Sequence, residues 1–164
     1  MYQLRDIFAD DQQFIFEGLS HPDVIKHYGV SYSTYEETVG QMEFYANLET
    51  QQTGKWWIIQ HEDGYAVGGC GFNYYKPEHQ KIEVGYWLLP QYHGKGIMRK
   101  MLPVAIEKIK ALYSIHRIEA FVEPGNDSSV KLLKHLGFEY EGTMKDCERK
   151  HDQWISLDIY ALLV

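Results

Sequence analysis

The sequence predicts a single α/β domain built on one mixed, mostly antiparallel sheet with helices on both faces. Residues 55–89 hold three strand-like segments separated by short turn sequences, which is typical of an antiparallel meander. A glycine-spaced turn then leads into a long amphipathic segment, and a strand, a helix and a hairpin follow it. Helices interspersed with strands in this order pack on both faces of a sheet. The 164 residues suit one domain with a sizeable core, so we assign residues 1–164 to it.

The first third of the chain predicts a strand and two helices. Residues 2–8 form the strand, and a helix begins at Asp10 and ends at Pro22. The apolar side of this helix is formed by Phe14, Ile15 and Leu19. A second helix covers about residues 34–50, and its side facing the core is formed by Val39, Met42, Tyr45, Ala46 and Glu49.

The meander comprises residues 55–61, 65–75 and 81–89. A glycine turn joins its last strand to a helix that runs to about Tyr113. Pro103 lies inside this helix, where it removes one backbone hydrogen bond, so we expect a kink. The buried side of the helix is formed by Ile97, Met101, Ala105, Ile109 and Leu112.

The last third predicts a strand, a helix and a closing hairpin. Residues 117–122 form the strand, and Asn126 or Asp127 caps the helix, which a glycine terminates. The hairpin pairs residues 140–146 with residues 153–163. The apolar side of the helix is formed by Val130, Leu133 and Leu136.

Residues 91–96 read Gln-Tyr-His-Gly-Lys-Gly and connect a strand to a helix. The two glycines let the main chain approach a ligand closely, and the first free N–H groups of the helix favour an anion such as pyrophosphate. Two better-known phosphate loops do not fit this spacing. Arg99 stands where the dinucleotide fingerprint requires a third glycine, and Gly96 stands where the P-loop requires Ser or Thr. A tight turn without a ligand is the alternative.

A second segment strengthens the interpretation of the turn. Residues 126–138 read Asn-Asp-Ser-Ser-Val-Lys-Leu-Leu-Lys-His-Leu-Gly-Phe. With the turn, they resemble the GNAT superfamily of N-acetyltransferases, whose Gln/Arg-x-x-Gly-x-Gly/Ala turn binds the pyrophosphate of acetyl-CoA. Residues 21–24, 138–142 and 154–163 are similar to the RimJ/RimL branch, which acetylates the amino termini of ribosomal proteins. The resemblance spans nearly the whole chain and implies a GNAT-like fold.

The resemblance also implies that acetyl-CoA is the co-substrate and that it lies along the last meander strand and the turn. The main chain from Tyr86 to Leu88 would border the pantetheine arm, with the N–H of Leu88 facing the thioester oxygen. Among the histidines, His93 is the one expected near phosphate. The implied binding residues are Tyr86, Trp87, Leu88, Gln91, His93, Gly94, Lys95, Gly96, Ile97, Met98, Arg99, Asn126 and Ser129.

Two residues are candidates for proton transfer. Glu83 lies inside an apolar strand, where burial can raise the pKa of a carboxyl group to that of a useful base. It also matches a strand glutamate that several GNAT members use; a glutamate that faces solvent or pairs with an Arg is the alternative. Many members carry a tyrosine acid seven residues after Asn126, where this chain has Leu133. Ser129 is the candidate replacement acid, and a purely helix-capping role is its alternative.

Composition limits the classes of molecule that the protein is expected to bind and the compartment in which it is expected to occur. The net charge of −7 without a Lys/Arg cluster argues against nucleic acid and suits a cationic partner. No sequence signature predicts a metal site. Cys70 and Cys147 predict free thiols in a reducing compartment. With no leader-like start and no apolar run of about 18 residues, we expect a cytoplasmic protein without a membrane partner.

The resemblance implies an acetyl-CoA-dependent N-acetyltransferase that acts on a primary amine by direct attack in a ternary complex. It points to the N-terminal α-amine of a ribosomal or other protein. The alternatives are a small-amine acetyltransferase acting on a polyamine, an amino acid or an antibiotic, a non-catalytic acyl-CoA-binding module, which Leu133 supports, and a phosphate-binding domain unrelated to CoA. GNAT closing hairpins often meet across a dimer interface, so a homodimer is one expected assembly.

Eight aromatic residues could line an acceptor site or fill the core. The family's closing hairpin often reads Gly-x-Trp-x-Asp, whereas residues 152–156 read Asp-Gln-Trp-Ile-Ser, so the resemblance does not fix the acceptor. The aromatic candidates for the acceptor side are Tyr28, Tyr32, Tyr35, Trp56, Trp57, Tyr74, Tyr75 and Trp87.

Overall fold

The computed structural model describes residues 1–164 and contains one seven-stranded sheet. Its strands are β1 (Tyr2–Arg5), β2 (Lys55–His61), β3 (Ala66–Lys76), β4 (Lys81–Leu88), β5 (Arg117–Val122), β6 (Glu139–Lys150) and β7 (Gln153–Leu163). They lie in the order β1-β2-β3-β4-β5-β7-β6, and every neighbouring pair is antiparallel except the parallel pair of β4 and β5. The predicted mixed, mostly antiparallel sheet is confirmed.

Five α-helices cover the sheet. They are α1 (Gln12–Ser20), α2 (Pro22–Ile25), α3 (Val39–Thr50), α4 (Ile97–Leu112) and α5 (Asp127–His135). Helices α4 and α5 pack on one face, in a core that includes Trp57 and Ile59 of β2. Helices α1 and α3 pack on the other face, with Trp56 and Ile58. Successive strand residues point to opposite faces, so β2 contributes alternately to two cores, and the predicted helices on both faces are confirmed.

Strands β4 and β5 pair over only part of their length. Lys81–Glu83 lies opposite Arg117–Glu119, and the pairing stops there although β4 continues to Leu88 and β5 to Val122. The two parallel strands therefore diverge in the middle of the sheet. The divergence leaves one backbone edge of β4 without a neighbouring strand.

Three local expectations need correction in the first half of the chain. Strand β1 stops at Arg5, whose guanidinium pairs with Asp11 in the following 3-10 turn. Pro22 begins the short helix α2 instead of ending α1, because proline fits the first position of a helix. The buried side of α3 is also rotated. Val39 is exposed, and the buried residues of α3 are Gln41, Tyr45 and Leu48.

Hydrogen bonding explains the rotated face of α3. The side-chain oxygen of Gln41 accepts a hydrogen bond from the hydroxyl of Tyr32 at 2.7 Å, which makes burial of the amide tolerable. An apolar pattern cannot anticipate a buried glutamine, so the predicted stripe included exposed residues instead.

Helix α4 continues through Pro103, which lies on its exposed side. The predicted buried side is correct except at Leu112, which is exposed in the last turn. The confirmed members are Ile97, Met101, Ala105 and Ile109. Neither α4 nor any other helix has the length and hydropathy of a membrane span.

Candidate active site

A cavity of about 730 Å³ lies at the divergence of β4 and β5. Residues of β3 and β4 form its floor, and residues of β5, α3, the segment after α2 and the β6–β7 hairpin form its walls. Both candidate catalytic residues, Glu83 and Ser129, line this cavity, as do Tyr86 and Asn126. The fold thus brings residues of β4 next to residues of the segment 126–138.

Glu83 is a half-buried carboxyl group in the cavity floor. Burial is the main cause that raises its pKa to about 7, and the nearby carboxylates of Glu119 and Glu148 contribute in the same direction. The charge of Glu119 is partly balanced by Lys81 and Arg117, at 3.2 and 3.1 Å. No cation pairs with Glu83 itself, so it is not the Arg-paired glutamate of the alternative interpretation. A carboxylate with this pKa can take a proton from an amine near neutral pH.

Tyr86 and Ser129 join β4 to α5 across the divergence. Their hydroxyl oxygens are 2.5 Å apart, and burial raises the pKa of Tyr86 to about 12. The backbone N–H of Ser129 donates to the side-chain oxygen of Asn126 at 3.4 Å, so Asn126 is the residue that caps α5. The hydroxyl of Ser129 is therefore not used for capping. Leu133 is fully buried in the core.

Glu83 and Tyr86 enter the cavity from opposite faces of the sheet. Val84 and Tyr86 belong to the core beneath α4, whereas Trp87 belongs to the core beneath α1 and α3. Glu83 shares the orientation of Trp87, because side chains alternate along a strand. A molecule bound on the α1–α3 face meets Glu83, and one bound on the α4–α5 face meets Tyr86 and Ser129. The two can touch through the opening between β4 and β5.

Strand β4 directs unpaired backbone groups into this opening. In an antiparallel pair, every second residue of a strand forms backbone hydrogen bonds to the neighbouring strand. The N–H of Leu89 donates to the carbonyl of Val67 at 2.9 Å, so the residues of β4 that bond to β3 are the odd-numbered ones. The even-numbered residues Tyr86 and Leu88 therefore turn their N–H groups away from β3, towards the opening. The carbonyl of Leu88 is 2.7 Å from Nε2 of His93. His93 thus lies on the strand backbone, and the N–H of Leu88 is free.

The glycine turn forms a cradle of free backbone donors. None of the N–H groups of residues 94–99 has a hydrogen-bond partner in the protein, and Lys100 is the first to bond back, to the carbonyl of Gly96. Gly94 and Gly96 have φ values of +70° and +72°, which a β-carbon disfavours. No atom lies within 4 Å of a Cβ built at either glycine. Free donors, a helix N-terminus and open space fit a bound pyrophosphate.

The side chains of the turn fall into two groups. Ile97 and Met98, the first two residues of α4, have side chains buried in the core, so they can offer a ligand only main-chain groups. Gln91, Lys95 and Arg99 are exposed and can contact a ligand through their side chains. The two basic residues add positive charge next to the free N–H groups, which favours a phosphate further.

The aromatic candidates divide between the cavity and the core. Those that line the cavity are Tyr28, Tyr32, Trp56 and Tyr74. Trp57 and Trp87 are buried in the two cores, Tyr75 packs against Tyr113, and Tyr35 is exposed. Half of the set is therefore in a position to contact an acceptor.

Lys150 connects the β6–β7 hairpin, which forms one wall of the cavity, to neighbouring segments of the chain. Its ammonium group donates to the carbonyls of Ile25 and Lys26 at 3.2 and 3.0 Å and to the carboxylate of Glu123 at 2.8 Å. The side chains of Lys150 and Glu123 are only 19% and 12% exposed. One buried cation thus connects the hairpin, the end of α2 and the end of β5.

Sequence reasoning did not identify the side chains of Tyr86 and Asn73, which line the cavity, or that of Lys150, which holds one of its walls in place. Tyr86 was assigned only a main-chain role, although its spacing of three from Glu83 already places the two side chains on opposite faces of a strand. Asn73 and Lys150 carry no local signal, because their partners are distant in the sequence.

Thiol and metal chemistry find little support in the side-chain arrangement. Cys70 is buried, which raises its pKa to about 12, and Cys147 is an exposed free thiol. A group of three or more His, Cys, Asp or Glu side chains placed to hold a metal ion is absent.

Comparison with known proteins identifies the family. A family model described as an acetyltransferase (GNAT) domain matches residues 3–139. The chain belongs to the GNAT family. It is therefore an N-acetyltransferase with acetyl-CoA as its co-substrate, which confirms the family, enzyme class and co-substrate expected from the sequence.

GNAT relatives resemble the chain over nearly its whole length. The uncharacterized N-acetyltransferase p20 of Bacillus licheniformis is 29% identical over 162 residues, covering 98% of this chain and 91% of p20. Two solved structures share the fold. An acetyltransferase from Salmonella typhimurium that modifies the N-terminal serine of ribosomal protein L7/L12 has a TM-score of 0.89 at 21% identity, covering 99% and 95% of the two chains. Spermidine N-acetyltransferase from Vibrio cholerae, in complex with CoA and spermine, has a TM-score of 0.86 at 18% identity, with the same coverage.

Proposed function

We propose that this GNAT protein acetylates the α-amine of a protein N terminus by direct attack of the amine on acetyl-CoA in a ternary complex. The observation that carries the proposal is the position of Glu83, a carboxyl group with a pKa of about 7 in the cavity where β4 leaves β5. An α-amino group has a pKa of about 8, so the two groups can exchange a proton near neutral pH.

Glu83 acts as the base on the acceptor side of the sheet. It removes a proton from the amine, whose nitrogen forms a bond to the thioester carbon as the carbon–sulfur bond breaks. The N–H of Leu88, which faces the opening, is the donor that we assign to the carbonyl oxygen of the thioester. Direct attack needs no covalent enzyme intermediate, in agreement with the buried, inert thiol of Cys70.

Ser129 donates the proton that the departing thiolate requires. Its hydroxyl lies 2.5 Å from that of Tyr86 on the co-substrate side of the sheet. In this arrangement Tyr86 donates its proton to the oxygen of Ser129 as Ser129 releases its own, and solvent restores the proton of Tyr86. A pair of hydroxyl groups thereby takes the role that a tyrosine at the position of Leu133 has in many family members.

The co-substrate site that we propose follows the free backbone donors. The main chain from Tyr86 through Trp87 to Leu88 borders the pantetheine arm, with the N–H groups of Tyr86 and Leu88 free to bond to it, and the turn holds the pyrophosphate through its unpaired N–H groups. His93 positions the carbonyl of Leu88. The turn residues assigned to the pyrophosphate are Gln91, Gly94, Lys95, Gly96, Ile97, Met98 and Arg99, and Asn126 and Ser129 complete the site from α5.

The proposed acceptor rests on the relatives and on the shape of the cavity. The Salmonella neighbour modifies an N-terminal serine, and the E. coli ribosomal-protein-serine acetyltransferase is 25% identical over 127 residues. A cavity of about 730 Å³ leaves room for the first residues of a peptide as well as for its amino group. Tyr28, Tyr32 and Tyr74 provide aromatic contacts for them.

A small polyamine is the second candidate acceptor, because the cavity is acidic. Glu83, Glu123 and Glu148 all line it, of which only Glu123 is paired with a cation, and the net charge of −7 attracts cations over a longer range. The Vibrio neighbour is a spermidine N-acetyltransferase. Carboxylates of this kind bind an N-terminal ammonium and a polyamine equally well, so charge alone does not choose between them.

Release of free CoA thiol from acetyl-CoA tests the proposal. The acceptors are peptides that differ in their first residue, together with spermidine, free amino acids and an aminoglycoside. We expect turnover with peptides, lowered at least a hundredfold in Glu83→Gln. The control is Glu139→Gln, which changes an exposed strand glutamate outside the cavity and leaves the rate unaltered. Turnover with small amines alone contradicts a protein acceptor, and full activity of Glu83→Gln contradicts the assigned base.

A further inference from the structure

Asn73 lies beside the proposed base in the cavity. It is on β3 directly opposite Glu83 on β4, so the two side chains are neighbours on the same face of the sheet. Asn73 lines the cavity but is only 8% exposed. A polar amide this deeply buried normally has all its hydrogen-bonding groups satisfied.

One hydrogen bond fixes which end of the amide faces the cavity. The indole nitrogen of Trp56 lies 2.5 Å from Oδ1 of Asn73. An indole N–H can only donate, so the group it contacts must be the oxygen of the amide. The NH₂ group of Asn73 consequently points the other way, and no protein group accepts a hydrogen bond from it. Asn73 therefore presents an unused donor next to Glu83.

Two glycines hold the Trp56 ring in the position that makes this contact. A β-carbon at Gly71 would lie 2.3 Å from the indole, and one at Gly85 would lie 2.7 Å from it. Both distances are far shorter than any real contact, so only glycine allows the ring to lie across β3 and β4. Residues of three strands, Trp56 on β2, Gly71 on β3 and Gly85 on β4, therefore fix the orientation of the Asn73 amide.

We propose that Asn73 determines acceptor specificity by donating a hydrogen bond to the carbonyl oxygen next to the reacting amine. This inference rests on the proposed function and extends it, because it names the chemical group that the acceptor carries. An N-terminal residue has a carbonyl attached to the carbon that bears its amine, whereas a polyamine has no acceptor oxygen. An amine without the carbonyl covers the NH₂ group without accepting its hydrogen bond, so the group loses contact with solvent and gains no partner, which disfavours binding.

The test compares two acceptors that differ only in this oxygen. One is a peptide with a free N terminus, and the other is the same peptide with an (E)-alkene in place of its first peptide bond. The values of kcat/KM for both are measured with the wild type, Asn73→Asp and Asn73→Ala at about pH 8, where Glu83 is ionised. Asn73→Asp keeps an oxygen for Trp56 but has no N–H donor. Asn73→Ala removes both groups without adding a charge.

We expect the wild type to have a higher kcat/KM for the peptide than for the alkene analogue. In both variants the ratio of the two kcat/KM values should fall by about tenfold. A change in folding or in the pKa of Glu83 alters kcat/KM for both acceptors by the same factor, so it cancels in the ratio of the two values. An unchanged ratio in both variants, or a wild type without preference, overturns the role of Asn73 and leaves the proposed function in place. No turnover of any peptide by the wild type contradicts the proposed function itself.

Discussion

Glu83 lies between Ile82 and Val84, two buried residues of β4, and this apolar context alone predicted a carboxyl group with a raised pKa. The groups around it were not predictable in the same way. Asn73 and Glu119 come beside Glu83 only through the register of three strands, and a sequence pattern does not specify register. Sequence therefore identified the candidate base but not what surrounds it.

The pKa of Glu83 should control the rate of the reaction. A base must be ionised, so kcat at saturating acceptor should rise with pH through about 7 and then level off. Initial rates from about pH 5.5 to pH 8.5 provide the profile. In Glu83→Gln the remaining activity should lack this inflection. A wild-type profile that is flat over the same range contradicts the assignment.

The same raised pKa should affect stability. Glu83 has a folded-state pKa of about 7 against an ordinary value of 4.5, so the folded protein is favoured when the group is protonated and loses that advantage as pH rises through about 7. Glutamine does not ionise. Glu83→Gln should therefore raise the melting temperature relative to the wild type by more at pH 8 than at pH 4.5, measured without acetyl-CoA. A difference that does not change with pH contradicts a buried, uncompensated carboxylate.

Elements with strong local signals were predicted well. The cap of α5 is confirmed by the contact from the N–H of Ser129 to Asn126, and Gly137 ends the helix with φ of +90°. The glycine turn before α4 is also where the sequence placed it. Local signals failed where tertiary contacts decide, as at Gln41 of α3, which is buried because the distant hydroxyl of Tyr32 satisfies it.

Gly96 should combine a structural and a binding role. An alanine there must adopt a φ of +72°, so Gly96→Ala should lower the free energy of unfolding by about 1 kcal/mol. The substitution also alters the turn that offers the free N–H groups, so the Kd for acetyl-CoA should rise at least tenfold, as measured by calorimetry.

Gly64 provides the matched control for Gly96. It has φ of +95° in the turn between β2 and β3, with open space around a built β-carbon. Gly64→Ala should cause a similar loss of stability and leave the Kd for acetyl-CoA unchanged. Equal effects of the two substitutions on binding would mean that the turn at Gly96 does not hold the co-substrate.

At the scale of the whole molecule, the order of segments predicted the sheet and its two helical layers, and the resemblance to a known family covered nearly all of the chain. The divergence of β4 from β5 and the attachment of the hairpin were not predictable from local patterns. Both depend on contacts between segments far apart in sequence, such as those of Lys150 with Ile25 and Glu123. These long-range contacts shape the cavity.

Lys150 should control the acceptor side of the cavity. Lys150→Met keeps the length of the side chain but removes its hydrogen bonds to α2 and leaves the carboxylate of Glu123 unpaired. The hairpin wall should loosen, so KM for a peptide acceptor should rise about tenfold while the Kd for acetyl-CoA stays the same. Lys145→Met on the same strand is the control, since Lys145 is exposed and unpaired. Equal changes in KM for both variants contradict the role of Lys150.

Because no strand lies beside the second half of β4, successive backbone N–H groups of this strand differ in whether they are hydrogen-bonded. Gly85 and Trp87 donate to β3 and are protected, whereas the N–H groups of Tyr86 and Leu88 face the opening without a strand to receive them. If acetyl-CoA lies there, its pantetheine amides supply the missing partners and complete the ladder. Hydrogen–deuterium exchange at Tyr86 and Leu88 should then be fast in the free protein and slow in the complex, while exchange at Gly85 and Trp87 stays slow in both. In this respect the co-substrate substitutes for a short stretch of β-strand.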